Sequence, residues 1–492
     1  MPIDAPAVSL STLIAASPLF GHELEDRELI QAGQDPELVA HFTAAASRPL
    51  SSWAQRGQFV VAPLDLLVSS DNPAAPGPRD DLRVHLLEMN GTGIGGVTNL
   101  PRPCIDAVLA SLRETASFVA DPTGLVVVAV SGKEREDAPR ANRLLHEKLL
   151  FVDALRDGLE RQFGSADVRS LGQLEAERGS LRPARATVAI GYIKDFLRAA
   201  RLGDDGCVRI HGRRLAAAVN DRFCGNLIQQ FAGGVDIDSF LPVNRCYTAG
   251  SDKGVAYRMV TSFAEREGRN LGVRPMQHAH AHSREQLVEL VCDWLRLGRQ
   301  TVIKPHGTGL GHGIEFFLDP AEPRESVARR IDASLAQTAE YYDAAGGSLP
   351  YTLCDYVDAC RVADPKHPLV GHRYELRVVV YRDGGMLRAV PAIAKVARER
   401  ADCGPAERRS LINNITATGD TPKVCGTDFV LPLCRPATLT ALGLSVDELT
   451  HVCRFAVGLV GHTLDRWAVE PSAFDLVPGE PLVPAGLRRE LA

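Results

Sequence analysis

From residue 124 the chain alternates short apolar runs with stretches of helical period, and that order constrains the fold more than any other feature. GLVVVAVSG (124–132) is a branched-chain run of strand length, and RANRLLHEKLLFVDALRDGLERQF (140–163) then repeats its apolar positions at helical spacing. DVRSL (167–171), ATVAIGYI (187–194) and CVRIHG (207–212) read as further strands, and RRLAAAVNDRFCGNLIQQFA (213–232) reads as a helix leading out. Strand and helix in alternation predict a small α/β unit with a parallel sheet. The block from about 245 to the end instead sets runs of strands beside separated helices, an α+β pattern. The expected fold class is therefore α/β plus α+β.

At 492 residues the chain is long enough for two or three domains, and 45% hydrophobic content supplies their cores. With 55 basic against 61 acidic residues the net charge is −6, which argues against a nucleic-acid partner. No apolar run approaches the ~18 residues of a membrane span, and the first residues lack the basic region of a signal peptide. The eleven cysteines show no CxxC and no pairing rhythm, as expected of reduced thiols in a cytoplasmic protein.

Two strand-like runs end in glycine-rich loops. VHLLEMNGTGIGG (84–96) carries the Gly91-x-Gly93-x-x-Gly96 spacing of a dinucleotide-binding turn, but TNLPRP follows where a helix should open, and the prolines disfavour α geometry at Leu100 and Arg102. The same strand places Glu88 and Asn90 on one face. The second run, VIKPHGTGLGHGI (302–314), leads from Lys304 into Gly307, Gly309, Gly311 and Gly313. Alternating glycines let backbone N–H groups approach a polyphosphate, and the lysine adds a point charge. A glycine-rich hairpin with a surface lysine has the same appearance, and the GK[ST] ending of a Walker A loop is absent.

The neighbouring pieces, in order, resemble the ATP-grasp superfamily of carboxylate–amine ligases. They are Lys253 in SDKGVAY, the Lys304 loop, TLCDYVD (352–358), YELRVVVYRDG (374–384) and NNITATG (413–419). The resemblance covers about half the chain. It implies ATP as substrate, with Lys253 and Lys304 on its phosphates and Gly307, Gly309 and Gly311 folding over them. It further implies Tyr356 and Val357 against adenine, Asp358 on ribose, Arg377 beside the transferring phosphate, and Asn414 in the catalytic site.

Members of that family close with a hairpin carrying an Asp, then Glu-x-Asn, which bind Mg2+. The tail after Asp465 holds no Glu-x-Asn, whereas Asp65 in APLDLLV and Glu88 and Asn90 in LLEMN supply the set at the front. The resemblance thus implies a circular permutation, which is cheap when termini lie close together at the surface. Its expected parts are an N-terminal helical segment (1–48), the permuted metal-binding hairpin (49–115), a small α/β substrate domain (116–234) and the nucleotide-binding ATP-grasp block (235–492). The implied activity is ADP-forming amide or peptide ligation of a small-molecule carboxylate and an amine through an acyl phosphate. A small-molecule kinase, or a catalytically degenerate nucleotide-binding protein, would share these residues. Homodimers are common in the family.

Three features stand apart. Lys395 and Arg398 in AIAKVARER are candidates to hold the acyl phosphate, with Arg398 taken as the catalytic one. His278, His280 and His282 alternate along one strand and diverge too far for a good zinc site, so an edge strand is expected there. Ser283 and Gln286 form a capping box for the helix that follows.

Overall fold

The structure is a computed structural model, and it describes residues 34–50, 59–75, 77, 79–91, 100–130, 138–177, 185–231, 234–236, 238–244, 253–267, 273–306, 311, 313–342, 349–402, 411 and 429–470. In chain order the first elements are α1 (Pro36–Ala45), β1 (Ser47–Pro49), β2 (Val61–Ser69), β3 (Arg83–Met89), α2 (Arg102–Ala116), β4 (Leu125–Val130) and α3 (Ala138–Phe163). Next come β5 (Asp167–Ser170), α4 (Leu171–Ala176), β6 (Thr187–Tyr192), α5 (Ile193–Ala199), β7 (Ala200–Leu202), β8 (Val208–Ile210), β9 (Arg213–Val219), α6 (Asp221–Gln230) and β10 (Leu241–Pro242). The remainder is α7 (Lys253–Arg266), β11 (His278–Ala281), α8 (Arg284–Arg296), β12 (Thr301–Pro305), β13 (Glu315–Phe317), α9 (Arg324–Tyr342), β14 (Tyr351–Asp355), β15 (His372–Asp383), β16 (Met386–Arg400), β17 (Val430–Pro432), α10 (Pro436–Leu442) and α11 (Val446–Val469).

The expected parallel sheet is present, with β5, β6, β4 and β9 side by side and parallel, and β7 and β8 extending it antiparallel. Every residue of β4 is buried, as a central parallel strand requires. Its alternate residues face different cores: Val126, Val128 and Val130 join the large one, Leu125, Val127 and Ala129 the smaller. One reading of the sequence fails here. Residues 213–219 are a strand, not the first turns of a helix, despite the high helix propensity of Ala216–Ala218. Pairing beside β4 outweighs that propensity, because small side chains fit the buried face. The strand stops at Asn220 (φ 139°), whose amide donates to the Ala129 carbonyl and accepts from the Phe223 N–H, so α6 starts there.

The second sheet positions the site. Its order is β1-β16-β15-β2-β3, with β17 on β16. β2 and β3 form the expected hairpin, and β2 then pairs antiparallel with β15, Asp65 opposite Arg377. A hairpin near the N-terminus therefore extends a sheet made by residues 372–400. β15 turns at Gly384 (φ 57°) and Gly385 into β16. Helices α2 and α11 pack on this sheet, and a Ser445–Glu448 capping box starts α11. α2 opens at Arg102 with Pro101 as its N-cap and Pro103 in the first turn, so Arg102 is helical after all. Proline lacks only an N–H that the first turn leaves unpaired anyway.

The third sheet, β11-β14-β12-β13, is antiparallel and carries α8 and α9. β11 is the expected edge strand. The Ser283 hydroxyl accepts from the Gln286 N–H, but the Gln286 side chain reaches back to the His282 N–H, which leaves the expected box half closed. Among the described residues no helix is long and apolar enough to cross a membrane.

Candidate active site

The second and third sheets face each other across an open cleft of ≈ 1040 Å³, its mouth included. Met276, Val302, Ile314, Phe316, Tyr356 and Val357 make an apolar side; Asp65, Glu88, Lys253, Lys304, Glu375 and Lys395 make a charged one. Eight residues singled out in the sequence thus meet here: Asp65, Glu88, Lys253, Lys304, Gly311, Tyr356, Val357 and Lys395.

Lys304 is the penultimate residue of β12, where five successive residues are buried. Its ammonium donates to the Tyr257 hydroxyl at 2.7 Å, and that hydroxyl donates onward to the Leu87 carbonyl at 3.0 Å. Burial pushes the Lys304 pKa down, and Lys253 adds to the effect while Cys354 and Glu88 oppose it. No carboxylate forms an ion pair with Lys304 among the described residues. Lys253 opens α7, with Nζ 3.7 Å from Glu88 Oε2.

Asp65 is the hub of the charged side, 2% exposed. Arg377 grips it with two bonds of 2.7 Å, Nε to Oδ1 and Nη2 to Oδ2, and Lys395 Nζ lies 3.0 Å from Oδ2. Lys395 also pairs with Glu375, its register partner across the β15–β16 ladder. Burial works against ionising Asp65, but the Arg377 and Lys395 charges outweigh it and hold the carboxyl far below the ordinary range.

The donor set for a magnesium ion can be tested against this geometry. Asn90 Nδ2 stands 3.4 Å from Asp65 Oδ2 and 3.3 Å from Glu88 Oε1, so the amide sits between both carboxylates. Turned about its last bond, it would offer oxygen, completing a hard all-oxygen set. Glu88 is the most accessible member, its side chain 31% exposed. Asp65 has given Oδ2 to two cations and keeps one lone pair on Oδ1. The residues fit a hard divalent cation held chiefly by Glu88 and Asn90.

Other expected site residues lie elsewhere. Arg377 spends its fork on Asp65 and does not line the cleft. Asp358 accepts from Arg373 Nε at 2.8 Å and Arg361 Nη2 at 3.1 Å and is likewise outside the lining; Asp355 lines it instead. Arg398 is half-buried on β16, beyond the cleft-lining Lys395. Gly307, Gly309 and Asn414 lie outside the described residues. Sequence reasoning overlooked Glu375 and Tyr257. Glu375 was within reach, being two residues before Arg377 on one strand. Tyr257 was not, since its role depends on helix α7 meeting two sheets.

The alternating histidines have a packing role. His278 stacks edge-on with Tyr257 at 5.6 Å between ring centroids. His280 lies so close over α7 that a Cβ on Gly254 would sit 1.5 Å from its Nε2.

No family model and no curated protein matches the chain. It is similar to a solved structure named "Putative gamma-glutamylcysteine synthetase" from Methylobacillus flagellatus KT, with TM-score 0.42 and 15% identity over 92% of this chain and 98% of that one. It is also similar to a glutathione synthetase like-effector from Globodera pallida, with TM-score 0.32 and 10% identity over 76% and 84% of the two chains. Likeness at these scores carries no argument, and the cleft's own residues carry the functional reading.

Proposed function

We propose that the chain is an ATP-dependent, ADP-forming ligase that joins a small-molecule carboxylate to an amine through an acyl phosphate. One observation carries the reading. The buried Lys304 ammonium, without a carboxylate partner among the described residues, faces a cleft with Lys253 and Glu88 beside it and an apolar slot alongside. A buried cation of this kind is stabilised by an incoming anion, and a nucleotide supplies both the anion and a flat apolar end. The order of the ATP-grasp-like motifs supports the same ligand.

In this reading Lys253 and Lys304 bind the phosphates, and Met276, Phe316 and Tyr356 enclose the base near Val357. Magnesium, held by Glu88 and Asn90 with the spare lone pair of Asp65, would neutralise phosphate charge. Arg377 acts by fixing Asp65. Lys395 is the cation facing the cleft from β16, placed to offset charge on the transferring group. Arg398 remains a candidate for the acyl phosphate, and Asn414 for the catalytic site. The loop from Gly307 to Gly313 would exclude water, because an acyl phosphate hydrolyses readily. The pairing of β2 with β15 supports the permutation, since an N-terminal hairpin completes the sheet of the C-terminal block.

Product analysis tests the proposal. The protein is incubated with Mg-ATP, the twenty amino acids and a panel of di- and tricarboxylates. ADP and phosphate released only when carboxylate and amine are both present support a ligase. A stable phosphorylated acceptor would make it a kinase, and AMP with pyrophosphate would refute the acyl-phosphate route.

A further inference from the structure

We propose that Tyr257 is the positioning residue of the cleft: its hydroxyl aims the Lys304 ammonium and ties β12 to the strand that carries Glu88. The inference rests on the nucleotide reading for its purpose, and on geometry for its substance. Tyr257 lies four residues after Lys253, on the same face of α7. A phenol has one proton, and here the Leu87 carbonyl takes it at 3.0 Å. The oxygen is thereby left with its lone pairs toward Lys304, 2.7 Å away, and can only accept from it. That arrangement favours a charged ammonium in a place where burial opposes one. Leu87 directly precedes Glu88, so a single hydroxyl fixes the spacing between the cation from the third sheet and the carboxylate from the second.

Tyr257 is itself held from behind. The His278 ring abuts its ring, and the His280 ring occupies the space over Gly254 that any side chain would fill. The alternation in HAHAH therefore gives β11 a face of two imidazoles that seats the first turn of α7, and with it both Lys253 and Tyr257. The charged and titratable groups around Lys304 are Lys253 and Tyr257 from α7, Glu88 from β3 and Cys354 from β14.

The test reads Lys304 directly. Trace acetic anhydride acylates only neutral amines, and peptide mass spectrometry gives the rate at Lys304 relative to exposed Lys366 in the same molecule, between pH 7 and 9. In Tyr257→Phe the ring packing stays but the acceptor is lost, and the relative rate at pH 7.5 is expected to rise about tenfold. Incorporating 4-aminophenylalanine at 257, which still donates to the Leu87 carbonyl but accepts poorly through its delocalised nitrogen, should move the rate the same way by less. A ratio within twofold of wild type in both would overturn the proposal. A parallel arm adds Mg-ATP: failure to protect Lys304 in the wild type counts against the nucleotide reading, while the comparison without nucleotide still decides the role of Tyr257.

Discussion

Replacing Asp65 by Asn separates an anchoring carboxylate from one kept only for ligand binding. The change conserves shape but removes the negative charge facing two buried cations, Arg377 and Lys395, each 6% exposed. Lys395 keeps Glu375, whereas the paired bonds from Arg377 lose their ionic partner. Breaking a buried pair in this way costs about 3–5 kcal/mol. Amide hydrogen exchange in the Leu376–Tyr381 segment, bonded to β2 along the ladder, reads the cost without assuming two-state unfolding of so long a chain. Exchange there should accelerate by about two to four orders of magnitude at pH 7. The pH dependence has a definite sign. Because the folded Asp65 titrates far below the unfolded value of about 4, its contribution is complete above about pH 5 and is lost as pH falls toward the folded value. The gap between wild type and variant therefore narrows in acid. An Asn variant as protected as the wild type at pH 7, or more so, would refute the reasoning and mark Asp65 as a ligand held at the fold's expense.

Three further outcomes follow from the same geometry. Lys304→Met should weaken ATP binding about 10–100-fold by calorimetry, while thermal unfolding shows a more stable protein at pH 7, since burial disfavours the ammonium. The wild type should gain stability as pH rises past the lowered Lys304 pKa toward the unfolded value near ~10.4, and the variant should lack that rise. Gly254→Ala should cost about 1–3 kcal/mol in urea unfolding and weaken ATP binding, with His280→Ala restoring much of both in the double variant. Asn244→Ala should cost about 1–3 kcal/mol in the same assay, because its amide satisfies both the Val60 N–H and the Val61 carbonyl at the start of β2.

What the sequence revealed was local, and what it concealed was pairing. Long apolar runs located β2, β4, β6 and β12, and Lys304 stood out because it follows such a run and precedes glycines. β9 was misread because five of the seven residues of Arg213–Val219 are alanine or arginine, and only its position beside β4 makes it a strand. The Gly384–Gly385 turn was legible in the sequence, as Asp383-Gly384-Gly385 between two apolar runs. At the site, the cluster of Asp65, Glu88 and Asn90 followed from the family resemblance, and the hairpin does bring them together. The partners of Asp65 did not follow: Arg377 lies 312 residues away and was expected at the phosphate. Lys395 outranks Arg398 because strand register puts it opposite Glu375, which one sequence cannot display.

In the proposed site a hairpin near the N-terminus and a lysine from the C-terminal block hold one metal–nucleotide complex. Manganese in place of magnesium makes this measurable by electron paramagnetic resonance. Titrating Mn2+ into the protein with and without ATP should show tight manganese binding that requires ATP in the wild type and falls at least about tenfold in Glu88→Gln. Equal binding of Mn-ATP by wild type and Glu88→Gln would contradict the account, because the hairpin would then have no part in holding the nucleotide's metal.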